Sequence, residues 1–203
     1  EDLIEVYKSC EKLMPLVHLP VQSGSNKILK LMNRKHSVED YLKIIEKLKK
    51  IKPNIKFSSD FIIGYPGEEQ DDYEKTVKLM KEVKFINSFS FIFSARPGTP
   101  AYNLKKIDEK DAKERLINFQ SVAEKIKRSY RESLINKRVP VLFENEMNTK
   151  KKYFGRDEYF NSIVVENTGN LVAKLENIKI LKGNQNTLYG EIVPNLRQSN
   201  HAA

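Results

Sequence analysis

The chain has 203 residues, which accommodates one or two domains, and its 36 Lys and Arg against 27 Asp and Glu give a net charge of +9. It contains no run of 18 or more apolar residues and does not begin like a signal peptide, so we expect no membrane association. A single cysteine, Cys10, excludes an internal disulfide and any metal site built from several thiolates, and it favours a reducing cytoplasmic location.

Three short apolar segments alternate with amphipathic helices in the first half of the chain. Strands are predicted at 16–21, 56–64 and 88–94, and Ser25 and Ser37 are each suited to cap a following helix through the side-chain hydroxyl. A third helix follows the second strand, which gives the order β-α-β-α-β. This order, with about 30–40 residues per unit, predicts a parallel α/β sheet. No first strand with a signature of its own precedes it, so we expect the back half of a larger α/β domain.

The second half of the chain changes period. Apolar residues at helical spacing predict one long helix over 109–136, and short strands separated by turn-like segments follow from Val139. We therefore predict an α/β domain at 1–136, a small closed β-barrel at 137–193 and a disordered tail at 194–203. Small barrels of this kind often bind oligonucleotides.

Basic residues are concentrated at two places. Eleven basic and six acidic residues between 105 and 138 give that segment a net charge of +5. This pattern favours an acidic partner such as RNA, and the alternative is an ordinary solvated helix face. The second place is the segment 150–156, where lysines stand beside aromatic residues. It offers phosphate contacts and a stacking surface for RNA, and the alternative is a solvated loop with ordinary barrel aromatics. The RNA-binding candidates are Arg128, Arg131, Lys150, Lys151, Lys152, Tyr153, Phe154 and Arg156.

Each predicted strand of the first half ends in a loop that contains glycine. These loops are Q-S-G-S (22–25), G-Y-P-G-E (64–68) and A-R-P-G-T-P (95–100). In parallel α/β proteins, ligands bind at the carboxyl ends of strands, and glycine allows the backbone to approach them closely. The three loops predict a ligand-binding rim, although any one of them could be only a tight turn.

One aspartate and the three histidines are further candidates for chemistry. Asp60 lies inside a predicted strand, where it points into the mouth of the sheet or serves as a satisfied structural carboxylate. His18, His36 and His201 share no metal-ligand spacing, so we predict no metal site in this chain.

The loop sequences carry a resemblance to a known family. H-L-P-V-Q-S-G-S, S-S-D-F-I-I-G-Y-P-G-E and F-S-A-R-P-G-T-P-A resemble consecutive blocks of the radical S-adenosylmethionine methylthiotransferases. The resemblance is strongest to the branch that makes 2-methylthio-isopentenyladenosine beside the tRNA anticodon. V-A-K-L-E-N-I-K-I and L-Y-G-E-I resemble later blocks of the TRAM domain, so the resemblance extends from about residue 3 to 193.

The resemblance implies a fold, cofactors and a partner. The fold is α/β: the C-terminal half of a partial (β/α) barrel, followed by a small OB-like TRAM barrel. The cofactors are S-adenosylmethionine on the rim and two 4Fe–4S clusters, one of them held by a three-cysteine motif, and the partner is tRNA. This chain has no such motif, and Cys10 resembles a structural residue. We therefore expect a C-terminal piece, inactive alone, whose missing N-terminal half is a possible separate partner chain.

The resemblance also implies roles for particular residues. Gly64 and Pro66 form the loop on the adenine and ribose side, and Arg96 pairs with the methionine carboxylate or with an RNA phosphate. Glu68 stands one position away from the glutamate of the superfamily pattern, so its role stays open. No catalytic residue is implied within this chain. The residues implied to bind S-adenosylmethionine are Gln22, Ser23, Ser25, Gly64, Pro66 and Arg96.

Two alternative functions remain open from the sequence. The absent cluster cysteines favour a non-catalytic tRNA-binding module formed by the barrel and the basic helix. Within the enzyme family, the branch that acts on threonylcarbamoyl-adenosine is the alternative to the isopentenyladenosine branch.

Overall fold

The computed structural model describes residues 2–148 and 151–194. This part of the chain forms two compact units, and the boundary between them in the sequence lies between Lys127 and Arg128, inside the long helix. The predicted tail lies, from residue 195 onward, outside the described residues. No helix in the described ranges combines the length and apolar character needed to cross a lipid bilayer.

The first unit is built on a three-stranded parallel sheet with the strand order β1-β2-β3. This confirms the predicted alternation of strands and helices, while the short N-terminal helix was not foreseen. The elements are α1 (Asp2–Ser9), β1 (Leu16–His18), α2 (Asn26–Leu31), α3 (Val38–Ile51), β2 (Lys56–Ile63), α4 (Gln70–Val83), β3 (Asn87–Ile92), a 3-10 turn (Pro100–Asn103) and α5 (Glu109–Glu132).

The two faces of this sheet differ in burial, because successive strand residues point to opposite sides. Alternate residues of β2, among them Phe57, Phe61 and Ile63, are buried in a core with the apolar sides of the helices. The ring of Phe61 lies 4.8 Å from that of Phe119 on α5. The opposite face, called the open face below, carries Asp60, Ile62, Phe89 and Phe91, and its two phenylalanines are 50% and 59% exposed.

Strand β1 is shorter than predicted, and proline explains the difference. Pro20 has no N–H with which to continue the ladder. The chain rejoins the sheet at Gln22, which forms an isolated parallel bridge with Phe61. The predicted caps are confirmed: Ser25 caps α2, and Ser37 caps α3 in a capping box with Asp40.

The second unit is a closed five-stranded barrel with the strand order β4-β5-β6-β8-β7. Its pairs are antiparallel except β6 with β8, and its core includes Phe143, Ile163, Ile178 and Leu188. The strands are β4 (Arg138–Glu146), β5 (Lys152–Arg156), β6 (Ser162–Glu166), β7 (Leu175–Gly183) and β8 (Leu188–Ile192).

Helix α5 ends at Glu132, earlier than the predicted residue 136. Asn136 has a positive φ of 64° and donates its backbone N–H to the Ile180 carbonyl oxygen of the barrel at 2.8 Å. The apolar spacing that predicted a longer helix includes Leu134, which lies beyond the end of α5 and packs in the core of the barrel.

Candidate functional site

A cleft of about 480 Å³ opens at the carboxyl end of the parallel sheet. It lies where ligands bind in α/β proteins, and it combines an amide, a carboxylate, a guanidinium and aromatic rings. Of the six residues predicted to bind S-adenosylmethionine, Gln22 and Arg96 line this cleft and the other four do not. The lining residues are Gln22, Asp60, Ile62, Phe91, Ile92, Phe93, Ser94, Arg96, Thr99 and Ala101.

Backbone conformation positions the two predicted residues that line the cleft. Gln22 has a φ of 76°, and its N–H and C=O pair with Asp60 and Ile62 of β2, each at 3.0 Å. Arg96 is exposed and begins a tight turn, in which its carbonyl oxygen accepts from the Thr99 hydroxyl at 2.7 Å. Both residues are thus fixed by the chain beside the end of the sheet.

The sequence allows two interpretations of Asp60, a residue that faces a ligand and a structural carboxylate. It lines the cleft from the open face, and its side chain is 31% exposed. Its carboxylate also contacts His18, whose Nε2 lies 3.5 Å from Asp60 Oδ2. Asp60 is therefore both a cleft residue and a member of a polar cluster on the sheet.

Ser23 and Ser25 are buried against helix α4 instead of lining the cleft. The Ser23 hydroxyl lies 3.3 Å from that of Thr76, and the Ser25 hydroxyl donates to Asp72 at 2.6 Å. Burial alone would raise the pKa of Asp72, but the bonds from Ser25, a backbone N–H and Lys27 lower it. The two serines therefore fix the loop after β1 onto α4.

The loop after β2 is held against helix α5. Gly64 has a φ of 73°, and a Cβ added there would lie 2.9 Å from Ala112 Cβ. Pro66 is buried, and the neighbouring Tyr65 ring packs 4.8 Å from Phe93, a cleft residue. Gly64 and Pro66 thus shape the wall behind the cleft without lining it.

Glu68 and Arg115 form a buried ion pair that locks this loop in place. Arg115 Nη1 donates to Glu68 Oε1 at 2.9 Å and to the Glu68 carbonyl oxygen at 3.1 Å, and Gly64 N–H donates to the same Oε1 at 3.1 Å. The Glu68 side chain is 1% exposed, and burial raises its pKa against the opposing bonds from Gly64 and Arg115. Sequence reasoning left Glu68 open and missed Arg115, since no local pattern joins the two.

In the second unit, strand β5 presents part of the predicted RNA-binding loop. Lys152, Phe154 and Arg156 alternate outward, and the Arg156 guanidinium lies over the Phe154 ring at 5.4 Å. Tyr153 points inward and is 5% exposed in the barrel core, so it is not available to stack on a base. Lys151 is exposed, and Lys150 lies outside the described residues.

The two arginines predicted on the long helix have different environments. Arg128 is exposed and pairs with Glu132 at 3.0 Å. Arg131 is 6% exposed, and its guanidinium donates to the carbonyl oxygens of Asn184, Gln185 and Asn186 in the turn between β7 and β8. These bonds direct the guanidinium toward the protein's own backbone and not toward a phosphate.

The described residues, 2–148 and 151–194, contain no group of three or more His, Cys, Asp or Glu side chains that could hold a metal ion. The single cysteine, Cys10, is half-buried. The residues of this chain therefore do not fit an iron–sulfur cluster, which needs several thiolates.

Comparison with known protein families shows that residues 1–80 match the radical SAM superfamily. Beyond that match, the chain is 53% identical over 192 residues to the tRNA-2-methylthio-N(6)-dimethylallyladenosine synthase of Pelagibacter ubique, covering 95% of this chain and 43% of that protein. The synthases of that name from Wolbachia pipientis (45% identical, covering 94% of this chain and 44% of the relative) and Orientia tsutsugamushi (44% identical, 96% and 44%) are similar. The chain is thus similar over nearly all of its length to radical SAM methylthiotransferases, and it spans less than half the length of these relatives.

Proposed function

We propose that this chain is part of a tRNA methylthiotransferase that adds a methylthio group to dimethylallyl-adenosine (isopentenyladenosine) next to the anticodon. The observation that carries the proposal is the 53% identity to a tRNA-2-methylthio-N(6)-dimethylallyladenosine synthase, which extends over 95% of this chain. In this proposal the three-stranded sheet belongs to a partial (β/α) barrel and the second unit is a TRAM domain. A tRNA substrate agrees with the predicted cytoplasmic location.

The cleft at the end of the sheet is the proposed S-adenosylmethionine site. The Arg96 guanidinium suits the methionine carboxylate, because it can donate two parallel hydrogen bonds. Gln22 and Asp60 offer acceptors to the hydroxyl or ammonium donors of the ligand, and the Phe91 ring offers an apolar wall. Ser23, Ser25, Gly64 and Pro66 act in this account by holding the loops that form the cleft.

When bound, S-adenosylmethionine supplies the radical chemistry and the methyl group in this family. The residues of this chain bind and orient the molecule. The buried ion pair of Glu68 with Arg115 keeps the wall of the cleft rigid. The thiolates that hold the two 4Fe–4S clusters must be supplied from outside this stretch, since Cys10 is the chain's only cysteine.

Arg96→Ala in the complete protein that carries this chain is expected to weaken binding of S-adenosylhomocysteine by about tenfold or more, because a charge-assisted pair is lost. Isothermal titration calorimetry measures the change. Arg34→Ala is the matched control, since Arg34 is exposed and does not line the cleft. Equal affinities for the two variants would reject the cleft as the cofactor site.

The proposed tRNA-binding surface is the outward side of β5 with its preceding loop. Lys151 and Lys152 offer phosphate contacts, and Phe154 with Arg156 offers a ring and a guanidinium for stacking. Lys152 and Arg156 are also paired with Glu166 and Glu144, at 3.3 and 3.2 Å. Such surface pairs are weak, so a phosphate can compete for these cations.

Replacing Lys150, Lys151 and Lys152 together with alanine is expected to reduce the salt dependence of tRNA binding. Each lost phosphate contact lowers the log–log slope of affinity against salt by about one, because fewer counterions are released. Filter binding over a salt series gives the slope. A triple Lys47/Lys49/Lys50→Ala variant on α3 is the control, and a slope equal to that control would exclude the loop from the interface.

One observation favours a second candidate, a tRNA-binding module without chemistry. With a single cysteine, the residues of this chain hold no cluster by themselves. The threonylcarbamoyl-adenosine branch remains the alternative within the enzyme family. Analysis of the modified nucleoside separates the three possibilities.

A further inference from the structure

Three polar side chains lie side by side on the open face of the parallel sheet. His18 on β1 is the register partner of Ser58 on β2, and Asp60 follows two residues along β2 on the same face. Only Asp60 of the three lines the cleft. The cluster therefore extends from the cleft along the sheet toward its amino end.

The imidazole of His18 lies between the other two side chains and contacts each of them through one ring nitrogen. Ser58 Oγ lies 2.9 Å from His18 Nδ1, and His18 Nε2 lies 3.5 Å from Asp60 Oδ2. A Ser58 hydroxyl that donates to Nδ1 leaves the imidazole proton on Nε2, the nitrogen that faces Asp60. Ser58 is 5% exposed, so its hydroxyl has little access to competing water.

The imidazole ring is also held by packing. It forms a T-shaped contact with the Phe89 ring, with the centroids 6.4 Å apart at an interplanar angle of 70°. The β1–β2 register and this aromatic contact together fix the ring plane. An imidazole constrained in this way can hold a carboxylate in one orientation, as second-layer hydrogen bonds do in other binding sites.

We infer that His18 is a positioning residue that acts through Asp60. By engaging Oδ2, it turns Oδ1 toward the cleft, where that oxygen accepts a hydrogen bond from a donor group of the bound ligand. The inference rests on the proposed S-adenosylmethionine site. The donor is a ribose hydroxyl or the methionine ammonium, and the test is designed to tell the two apart.

The experiment measures the affinities of three ligands for the complete protein by calorimetry. S-Adenosylhomocysteine carries both donors, its deamino analogue 5′-(3-carboxypropylthio)-5′-deoxyadenosine lacks only the ammonium, and its 2′,3′-dideoxy analogue lacks only the ribose hydroxyls. The ratios of their dissociation constants report recognition of each donor. Asp60→Asn is expected to bring one of the two ratios close to one. The ligand group that this ratio reports is then the donor that Asp60 binds.

His18→Ala is expected to reduce that same ratio about fivefold or more while leaving the other ratio unchanged, because the carboxylate loses its fixed orientation. His18→Gln, which keeps an N–H donor, should retain most of the ratio and also covers the case in which His18→Ala does not fold. Ser58→Ala should cause a smaller change in the same ratio.

Three results would overturn the inference, and they show whether the cofactor site fails with it. If His18→Ala weakens all three ligands by one common factor, or if His18→Gln behaves like His18→Ala, the histidine does not position Asp60 and the cofactor site itself stands. If the wild-type protein binds none of the three ligands, the proposed cofactor site fails and the inference fails with it.

Discussion

Arg115→Ala is expected to destabilise the first unit by about 3–5 kcal/mol at neutral pH, because it leaves a buried carboxylate without its cation. Glu68 is 1% exposed at its side chain and would retain the Gly64 N–H as its donor. Arg115 also stacks over the Tyr73 ring at 5.7 Å, and that contact is lost as well. Hydrogen exchange at the β2 amides reports the stability of this unit separately from that of the barrel.

The cost of Arg115→Ala should depend on pH in a defined direction. Burial raises the folded-state pKa of Glu68 above its ordinary value of 4.5, so the folded chain binds the proton more tightly than the unfolded chain. The stability contributed by that proton is complete below pH 4.5 and is lost as pH rises through the folded-state pKa. Arg115→Ala should therefore cost less in acid than at neutral pH.

Two variants serve as controls for the ion pair. Lys113→Ala removes an exposed partner of Glu109 on the same helix and should change stability by less than about 1 kcal/mol. Glu68→Gln should remove the pH dependence that Glu68 contributes. The stabilising role of the Glu68–Arg115 pair would be contradicted if Arg115→Ala lowered the unfolding free energy no more than Lys113→Ala does. It would also be contradicted if the effect of Arg115→Ala were the same at all pH values.

Gly64→Val is expected to lower the unfolding free energy of the first unit by at least about 2 kcal/mol and to weaken S-adenosylhomocysteine binding. Valine is strained at a φ of 73°, and its Cβ would lie 2.9 Å from Ala112 Cβ on a packed helix. The loop must therefore move away from α5, which disturbs the wall of the cleft.

Gly98→Val is the matched control for this prediction. Gly98 has a similar φ of 79°, but no atom lies within 4 Å of an added Cβ. Gly98→Val therefore introduces backbone strain alone, about 1–2 kcal/mol. The difference in unfolding free energy between the two variants isolates the contact with Ala112. If Gly64→Val proves no more destabilising than Gly98→Val, the packing of this loop on α5 has no energetic role.

The sequence predicts the elements of this protein better than it predicts the side-chain contacts between them. Apolar spacing identifies α3 and α4, and Ser37 marks the start of α3, because these signals are local. The pair of Glu68 with Arg115 joins residues far apart in the chain, so it depends on how α5 packs on the loop after β2. No periodicity carries that information.

The orientation of a predicted site residue also depends on packing. The burial of Tyr153 follows from strand alternation, which places it on the face opposite Lys152 and Phe154, so this point was accessible from the sequence. The position of Arg131 was not, because its partners are backbone carbonyls of a turn formed much later in the chain. The Ser25 hydroxyl makes two hydrogen bonds, the predicted one that caps α2 and an unpredicted one to Asp72.

We propose that this chain belongs to an enzyme that methylthiolates dimethylallyl-adenosine in tRNA, and that Asp60 and Arg96 line its cofactor cleft. The direct measurement is mass spectrometry of nucleosides from tRNA incubated with the complete, iron-loaded protein, S-adenosylmethionine and a reductant. The predicted result is 2-methylthio-dimethylallyl-adenosine, strongly reduced by Asp60→Ala or Arg96→Ala and unaffected by Arg34→Ala. Product formed on threonylcarbamoyl-adenosine, or tRNA bound tightly but left unmodified by the wild-type protein, would contradict the claim.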